Sequence, residues 1–198
     1  PYYNFSKNIF SNNLGIIDLA SSGSNKLSNT NNLRSRIIND LSISSYDNYS
    51  DFGFKNNINA YLKNLNTIGK NDAKYKSRPS MEVASIYELS TSLPMKKNKQ
   101  NISEFLTPKI SFRINPGDMH NNSSDKRLIT TDNVFDINRI GATDAFESGK
   151  SLTLGIDYKR ETLLDNSLKT EDINNFFEIK LASVFRDTSE DYIPTSST

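Results

Sequence analysis

Apolar and polar residues alternate along much of this chain with a period of two, the spacing that returns side chains to the same face of a β-strand. The clearest case is 151–159, where Leu152, Leu154, Ile156 and Tyr158 alternate with Ser151, Thr153, Gly155, Asp157 and Lys159. One face of that strand is apolar and the other polar. The same pattern predicts strands over 2–9, 14–20, 32–44, 52–63, 81–93, 105–114 and 174–186. In 105–114, Leu106, Pro108, Ile110, Phe112 and Ile114 oppose Thr107, Lys109, Ser111 and Arg113. Pro108 has no N–H for the ladder, so it predicts a local weak point or a strand end.

No amphipathic helix pattern separates these strands, and antiparallel hairpins are their natural connection. The predicted connections are 11–13, 21–30, 46–49, 64–79, 94–100, 115–150 and 164–172. They alternate between shorter and longer, as the short turns and long outer loops of a transmembrane barrel do. The strands also exceed the usual ~5–6 residues of globular sheets and match the ~9–11 of a tilted membrane-spanning strand. Tyr46, Tyr49, Phe52 and Phe54 gather around one turn, as an interfacial aromatic girdle would. The fold class expected is all-β: an antiparallel up-and-down meander of about eight strands, part of a large transmembrane outer-membrane β-barrel. A secreted carbohydrate-binding β-sandwich is the soluble alternative.

Composition fits half-buried strands. Hydrophobic residues make up 35% and mean hydropathy is −0.61. No apolar run is long enough for a transmembrane helix, which leaves barrel strands untouched. The charge balance, 24 basic against 23 acidic residues, argues against a dedicated nucleic-acid binder. Cysteine is absent, so the chain holds no disulfide or thiolate metal site. The chain opens on Pro1 and reads as strand by Tyr2, and both ends read as cuts. Residues 1–198 are therefore expected to be an internal piece of a barrel domain, without the N-terminal periplasmic domain of the whole protein.

Signals for catalysis are poor. His120 reads as a solvated loop histidine, and Asp144 and Glu147 have no glycosidase context. There is no phosphate-binding glycine loop. The sequons at Asn48 and Asn101 read as chance in an Asn-rich chain. No enzyme activity, cofactor or metal is expected. The polar strand faces offer instead a hydrated wall. Lys55, Lys63, Lys109, Arg113, Lys159, Lys180 and Arg186 are the expected lumen-facing residues, on a surface suited to sugars and phosphates.

The stretch NVFDINRIGATDAFESGKSLTLGIDY joins a charged, glycine-containing loop to the cleanest strand. It resembles the LPS-assembly outer-membrane protein family LptD (also OstA or Imp). That family has an Asn-Leu-Phe-like segment followed by Asn-Arg, Gly-x-Asp, Glu-x-Gly and a glycine-containing strand. The matching positions are Asn133, Phe135, Asn138, Arg139, Gly141, Asp144, Glu147, Gly149 and Gly155. Arg78–Pro79, Ser92–Leu93–Pro94 and Leu106–Thr107–Pro108 resemble further family segments, with Thr107 in place of the usual Glu. Thr143–Asp144–Ala145 likewise departs from a more basic Asp-Arg pair. The resemblance implies transport of lipopolysaccharide into the outer leaflet of a Gram-negative outer membrane, with this piece as barrel wall and outer loops. The implied partners are lipopolysaccharide, outer-membrane lipid, an LptE-like plug lipoprotein and, through the absent N-terminal domain, an LptA-like periplasmic bridge. A porin or TonB-dependent receptor would share the wall but not the loop 133–149.

Overall fold

The computed structural model describes residues 1–119, 128–163, 173–188 and 193. Within them the chain is all-β, with no helix. Its ten strands are β1 (Tyr2–Asn12), β2 (Gly15–Ser28), β3 (Asn32–Ser45), β4 (Asn48–Tyr49), β5 (Lys55–Lys70), β6 (Ser80–Ser92), β7 (Met95–Lys99), β8 (Ile102–Asn115), β9 (Gly149–Leu163) and β10 (Ile173–Arg186). They form one antiparallel sheet in the order β1-β2-β3-β5-β6-β8-β9-β10. The short β4 pairs with β5, and β7 with β8. Every neighbour on this path follows the previous one along the chain, so the topology is an up-and-down meander without Greek-key crossings. The sheet is open, with β1 and β10 as its edges.

The eight long strands stand where the alternation predicts them, but several run further. β2 continues to Ser28 and β5 to Lys70, which absorbs most of the expected loops 21–30 and 64–79. These extensions are polar on the face where alternation calls for apolar residues. Ser21, Asn39 and Asn64 lie directly opposite one another on β2, β3 and β5. Ser21 Oγ donates to Asn39 Oδ1 at 2.7 Å, and Asn39 Nδ2 donates to Asn64 Oδ1 at 3.1 Å. Asn66 Nδ2 donates to the same oxygen at 2.5 Å. Mutual hydrogen bonding thus lets polar residues that resemble a loop remain in a strand.

Longer strands leave shorter connections: 13–14, 29–31, 46–54, 71–79, 93–101 and 116–148. The expected alternation of short and long connections does not hold; only 116–148 is long. The expected basic turn 94–100 is largely β7, paired with the first part of β8. The expected turn 164–172 and His120 lie outside the described residues.

Pro108 sits inside β8, not at its end. β6 pairs with β8 as far as Ser92↔Lys109, and β7 resumes at Met95↔Leu106. Across the break, Leu93 N–H donates to Pro108 O at 3.1 Å. In an antiparallel ladder a residue's N–H and C=O point to the same neighbour. The missing N–H of Pro108 therefore faces the gap at 93–94, and pairing with β9 is continuous on the other side.

The sheet has one covered and one bare face. Residues 128–148 fold back over the covered face. The core lies between them: Ile38, Leu65, Ala84 and Ile86 from the sheet, Met119, Ala145 and Phe146 from the connection, with Tyr61 and Ile137 packed around them. Tyr61 meets Phe146 edge-on, with ring centroids 5.1 Å apart. The bare face carries Leu41, Leu62, Leu89, Phe112, Leu152, Leu154, Ile156 and Leu181, and no second sheet packs on it among the described residues. Leu154 and Ile156 are 40% and 38% exposed although both lie in mid-strand.

Ile86 is fully buried in the core, so Ile86→Ala removes methylenes and leaves a cavity, and is expected to cost ~2–5 kcal/mol. Denaturant unfolding checks this. Leu89→Ala, on the bare face of the same strand, is the comparison and is expected to shift the midpoint much less.

Candidate functional site: a loop clamped on the polar face of the sheet

The loop 128–148 builds its own shape before it meets the sheet. Asn133 closes its first turn: Thr130 N–H donates to Asn133 Oδ1 at 2.9 Å, and Asn133 Nδ2 donates to Leu128 O at 2.8 Å. Asn138 closes the second, with Nδ2 donating to Ala142 O at 2.8 Å and its carbonyl accepting from Gly141 N–H at 3.0 Å. Gly141 has φ 66° and Gly149 φ 82°, left-handed conformations that favour glycine. Gly149 opens β9, and a Cβ there would lie 2.4 Å from Thr188 Oγ1.

Phe135 docks the loop on the sheet from above. Its ring lies over Gly155, where an added Cβ would come within 2.7 Å of ring carbons. Lys109 Nζ sits 5.5 Å from the centre of the same ring. The glycine on the covered face of β9 is thus a seat for an aromatic ring.

A charge cluster clamps the loop from the side. Arg139 is fully buried, and its fork grips Glu147: Nε donates to Oε2 at 2.6 Å and Nη2 to Oε1. Arg139 Nη1 also donates to Thr153 Oγ1 on β9 at 3.1 Å. Arg186 of β10 donates through Nε to Glu147 Oε1 at 2.7 Å. Arg113 of β8 lies 3.7 Å from Glu147 through Nη1 and 3.4 Å from Glu88 of β6 through Nη2, which also donates to Asp136 O in the loop. One buried carboxylate is therefore shared by arginines from the loop and two strands. Burial alone would push the Glu147 carboxyl up; the hydrogen bonds and charge of Arg139, then of Arg186, outweigh it and hold the carboxyl below its ordinary range. A second tether lies further along the sheet, where Lys63 Nζ reaches Asp40 Oδ1 at 2.8 Å and Thr143 O at 3.0 Å.

All seven cations read from the sequence as lumen-facing share the covered face, as the strand register shows. Each is paired. Lys55 meets Asp47, Lys109 meets Asp157, Lys159 meets Glu161, and Lys180 meets Asp132 and Glu178; Lys63, Arg113 and Arg186 are in the clamps described above. The sequence reading did not assign a carboxylate to each of these strand cations. Two of these were within reach of a register argument, since Asp40 lies directly opposite Lys63, and Glu88 opposite Arg113. Among the signature residues, Asp144 is buried beside the core, and Oδ1 accepts no hydrogen bond among the described residues.

This arrangement fixes the shape of the loop and its seat on the sheet. Among the described residues, no group of His, Asp and Glu is placed to hold a metal ion. A cavity of about 310 Å³ remains between loop and sheet, lined by Arg36, Asp40, Tyr61, Lys63, Asn138 and Phe146. Its mixture of charge, amide and aromatic ring suits a small hydrated ligand. No known protein-family model matches the chain, and neither does any curated protein.

Two substitutions test the clamp. Glu147→Gln leaves buried guanidinium groups without their counter-charge and is expected to weaken loop docking by ~3–5 kcal/mol. Limited proteolysis within 128–148 reads this out. Because the Glu147 pKa is lowered on docking, its contribution is present above the ordinary carboxylate range and is lost as pH falls through the lowered value. Loop protection is thus expected to persist at pH ~4.3, the ordinary Glu value, and to fail only on further acidification. Gly155→Leu displaces the Phe135 ring, and is expected to expose the loop to protease while the strands keep their far-ultraviolet circular dichroism.

Proposed function

We propose that this chain is wall and loop of a large outer-membrane β-barrel of the LptD type, which delivers lipopolysaccharide to the outer leaflet. The barrel reading is carried by one observation: an all-antiparallel meander whose polar face is covered and ion-paired while its apolar face is left bare. A soluble protein seldom exposes so continuous an apolar surface, and lipid is the solvent that such a face suits.

The dimensions support this. On the bare face of β9, Lys150 and Arg160 bracket Leu152, Leu154, Ile156 and Tyr158. At ~3.3 Å per residue that interval runs roughly 33 Å along the strand. A strand tilt of ~40° turns this into a band of about 25 Å, the height of the apolar belt of such barrels. The edges β1 and β10 present unpaired backbone groups, which lipid does not tolerate. In this reading further strands of the same barrel pair with both.

The choice of LptD among barrels rests on the loop. Asn133, Phe135, Asn138, Arg139, Gly141, Glu147 and Gly149, which carry the resemblance, are the residues that shape and seat the loop on the sheet. The bare face would then meet outer-membrane lipid. The ion-paired face would line a lumen shared with an LptE-like plug, and the saccharide part of lipopolysaccharide would pass along it. An LptA-like bridge would engage a periplasmic domain elsewhere in the protein.

Leu154→Lys tests the membrane reading. A lysine at the lipid-facing midplane costs ~2–4 kcal/mol. The variant is expected to reach outer membranes in reduced amount and to lose heat-modifiable migration on gels. Wild-type levels of heat-modifiable protein would overturn the reading.

A further inference from the structure

The cavity of about 310 Å³ between loop and sheet is walled from both sides. Its lining includes Ser22, Arg36, Asp40 and Tyr61 from β2, β3 and β5, and Thr143 and Phe146 from the loop. Two cations face this space, and only one is neutralised. Lys63 lies directly opposite Asp40 and pairs with it at 2.8 Å. Arg36 lies between Ser24 and Thr67 in the strand register, and neither is charged. Arg34, the preceding cation on the same face, meets Asp72 at 2.6 Å, whereas Arg36 makes no salt bridge among the described residues. Asp144, whose charge also acts on the Tyr75 beside Arg36, forms no ion pair with it.

Groups suited to hydroxyls share the cavity with this cation. The Tyr61 hydroxyl and Ser22 Oγ line it and make no hydrogen bond among the described residues. Asp40 gives Oδ1 to Lys63 and keeps Oδ2. The Tyr61 ring is held edge-on by Phe146. At ~30 Å³ per molecule the space equals about ten waters. That is room for one sugar ring and an acidic substituent. An acyl chain would leave these polar groups buried without partners, which is costly.

We propose that this cavity binds a single sugar residue that carries a phosphate or a carboxylate. Arg36 takes the anion, the kind of planar group that a guanidinium fork grips best, and Tyr61, Ser22 and Asp40 take ring hydroxyls. Loop and sheet each supply part of the wall, so the ligand bridges them and stabilises the docked loop by linkage. The lumen reading above supplies the source of such a sugar, and the inference rests on it to that extent; the site itself needs only the docked loop.

The test titrates the whole chain with glucose 1-phosphate, glucuronate, glucose and inorganic phosphate. Calorimetry reads affinity, and limited proteolysis within 128–148 reads loop docking. At least one of the two acidic sugars is expected to bind roughly tenfold or more tightly than both glucose and phosphate, the weight of a hydrogen bond to a charged group. At ten times its Kd, cleavage that proceeds through undocking is expected to fall about 11-fold. Arg36→Gln is expected to reduce the affinity of the acidic sugar to that of glucose. Tyr61→Phe, which keeps the ring on Phe146, is expected to weaken the acidic sugar and leave phosphate unchanged. Lys26→Gln, outside the cavity, retains binding, and circular dichroism controls for folding. Inorganic phosphate binding as tightly as the acidic sugars would make this a plain anion site and overturn the saccharide assignment. Affinity indifferent to Arg36→Gln, a loop cleaved equally with and without ligand, or no binding at millimolar concentration would overturn the site. An environment-sensitive fluorophore on a cysteine at Leu154, in a chain naturally free of cysteine, reports lipid contact separately. A failed titration with a lipid-like Leu154 signal removes the cavity site and leaves the barrel reading intact; an aqueous signal overturns the barrel reading itself.

Discussion

The carboxylate of Glu147 joins parts of the chain that are otherwise held apart. Arg139 grips it within the loop, Arg186 reaches it from β10, and Arg113 approaches from β8 while also bonding Glu88 on β6. A buried charge is tolerated only when paired and hydrogen-bonded, and removing one partner is far more destabilising than the pair is stabilising. The cluster therefore defines one docked position for the loop. The Phe135 ring on Gly155, the Lys63 tether and the small core around Ile86 and Phe146 then follow from that position.

The two faces of the sheet use their polar groups in opposite ways. On the covered face, cations and carboxylates neutralise each other strand by strand, so the wall is polar but carries little unpaired charge. On the bare face Ser21, Asn39 and Asn64, with Asn66, form a polar ladder whose groups bond one another, and Thr91 likewise donates to Asn56 across the strands. Such self-satisfaction is what an apolar surrounding demands of polar side chains. It also fixes register, because sliding any strand by one residue would carry its amide to the covered face.

Much of the fold was legible because a period of two survives wherever one face is apolar. Leu152 to Tyr158 and Leu106 to Ile114 announce their strands and their facing sides directly. Legibility failed where the face that should be apolar is polar. The segments 21–28 and 64–70 have the composition of loops and are strands, because their Asn and Ser side chains bond across the ladder instead of to water. The expected alternation of connection lengths failed for the same reason, since it was counted from strand ends set too early. Within the site, the sequence named the cations and the loop residues but not which carboxylate each strand cation would meet. Asp40 and Glu88 acquire meaning only once the strand register sets them beside Lys63 and Arg113. The role of Gly155 was equally hidden, since nothing near it in sequence indicates that Phe135 needs the space.

The central claim is that the bare face meets lipid. Spin labels at single introduced cysteines along 152–158 in the reconstituted protein test it most directly, by comparing accessibility to oxygen, which partitions into lipid, with accessibility to a water-soluble nickel chelate. The account predicts a period of two: labels at 152, 154, 156 and 158 favour oxygen, and labels at 153, 155 and 157 do not. Uniform accessibility, or preference for the nickel chelate at the even positions, would contradict it.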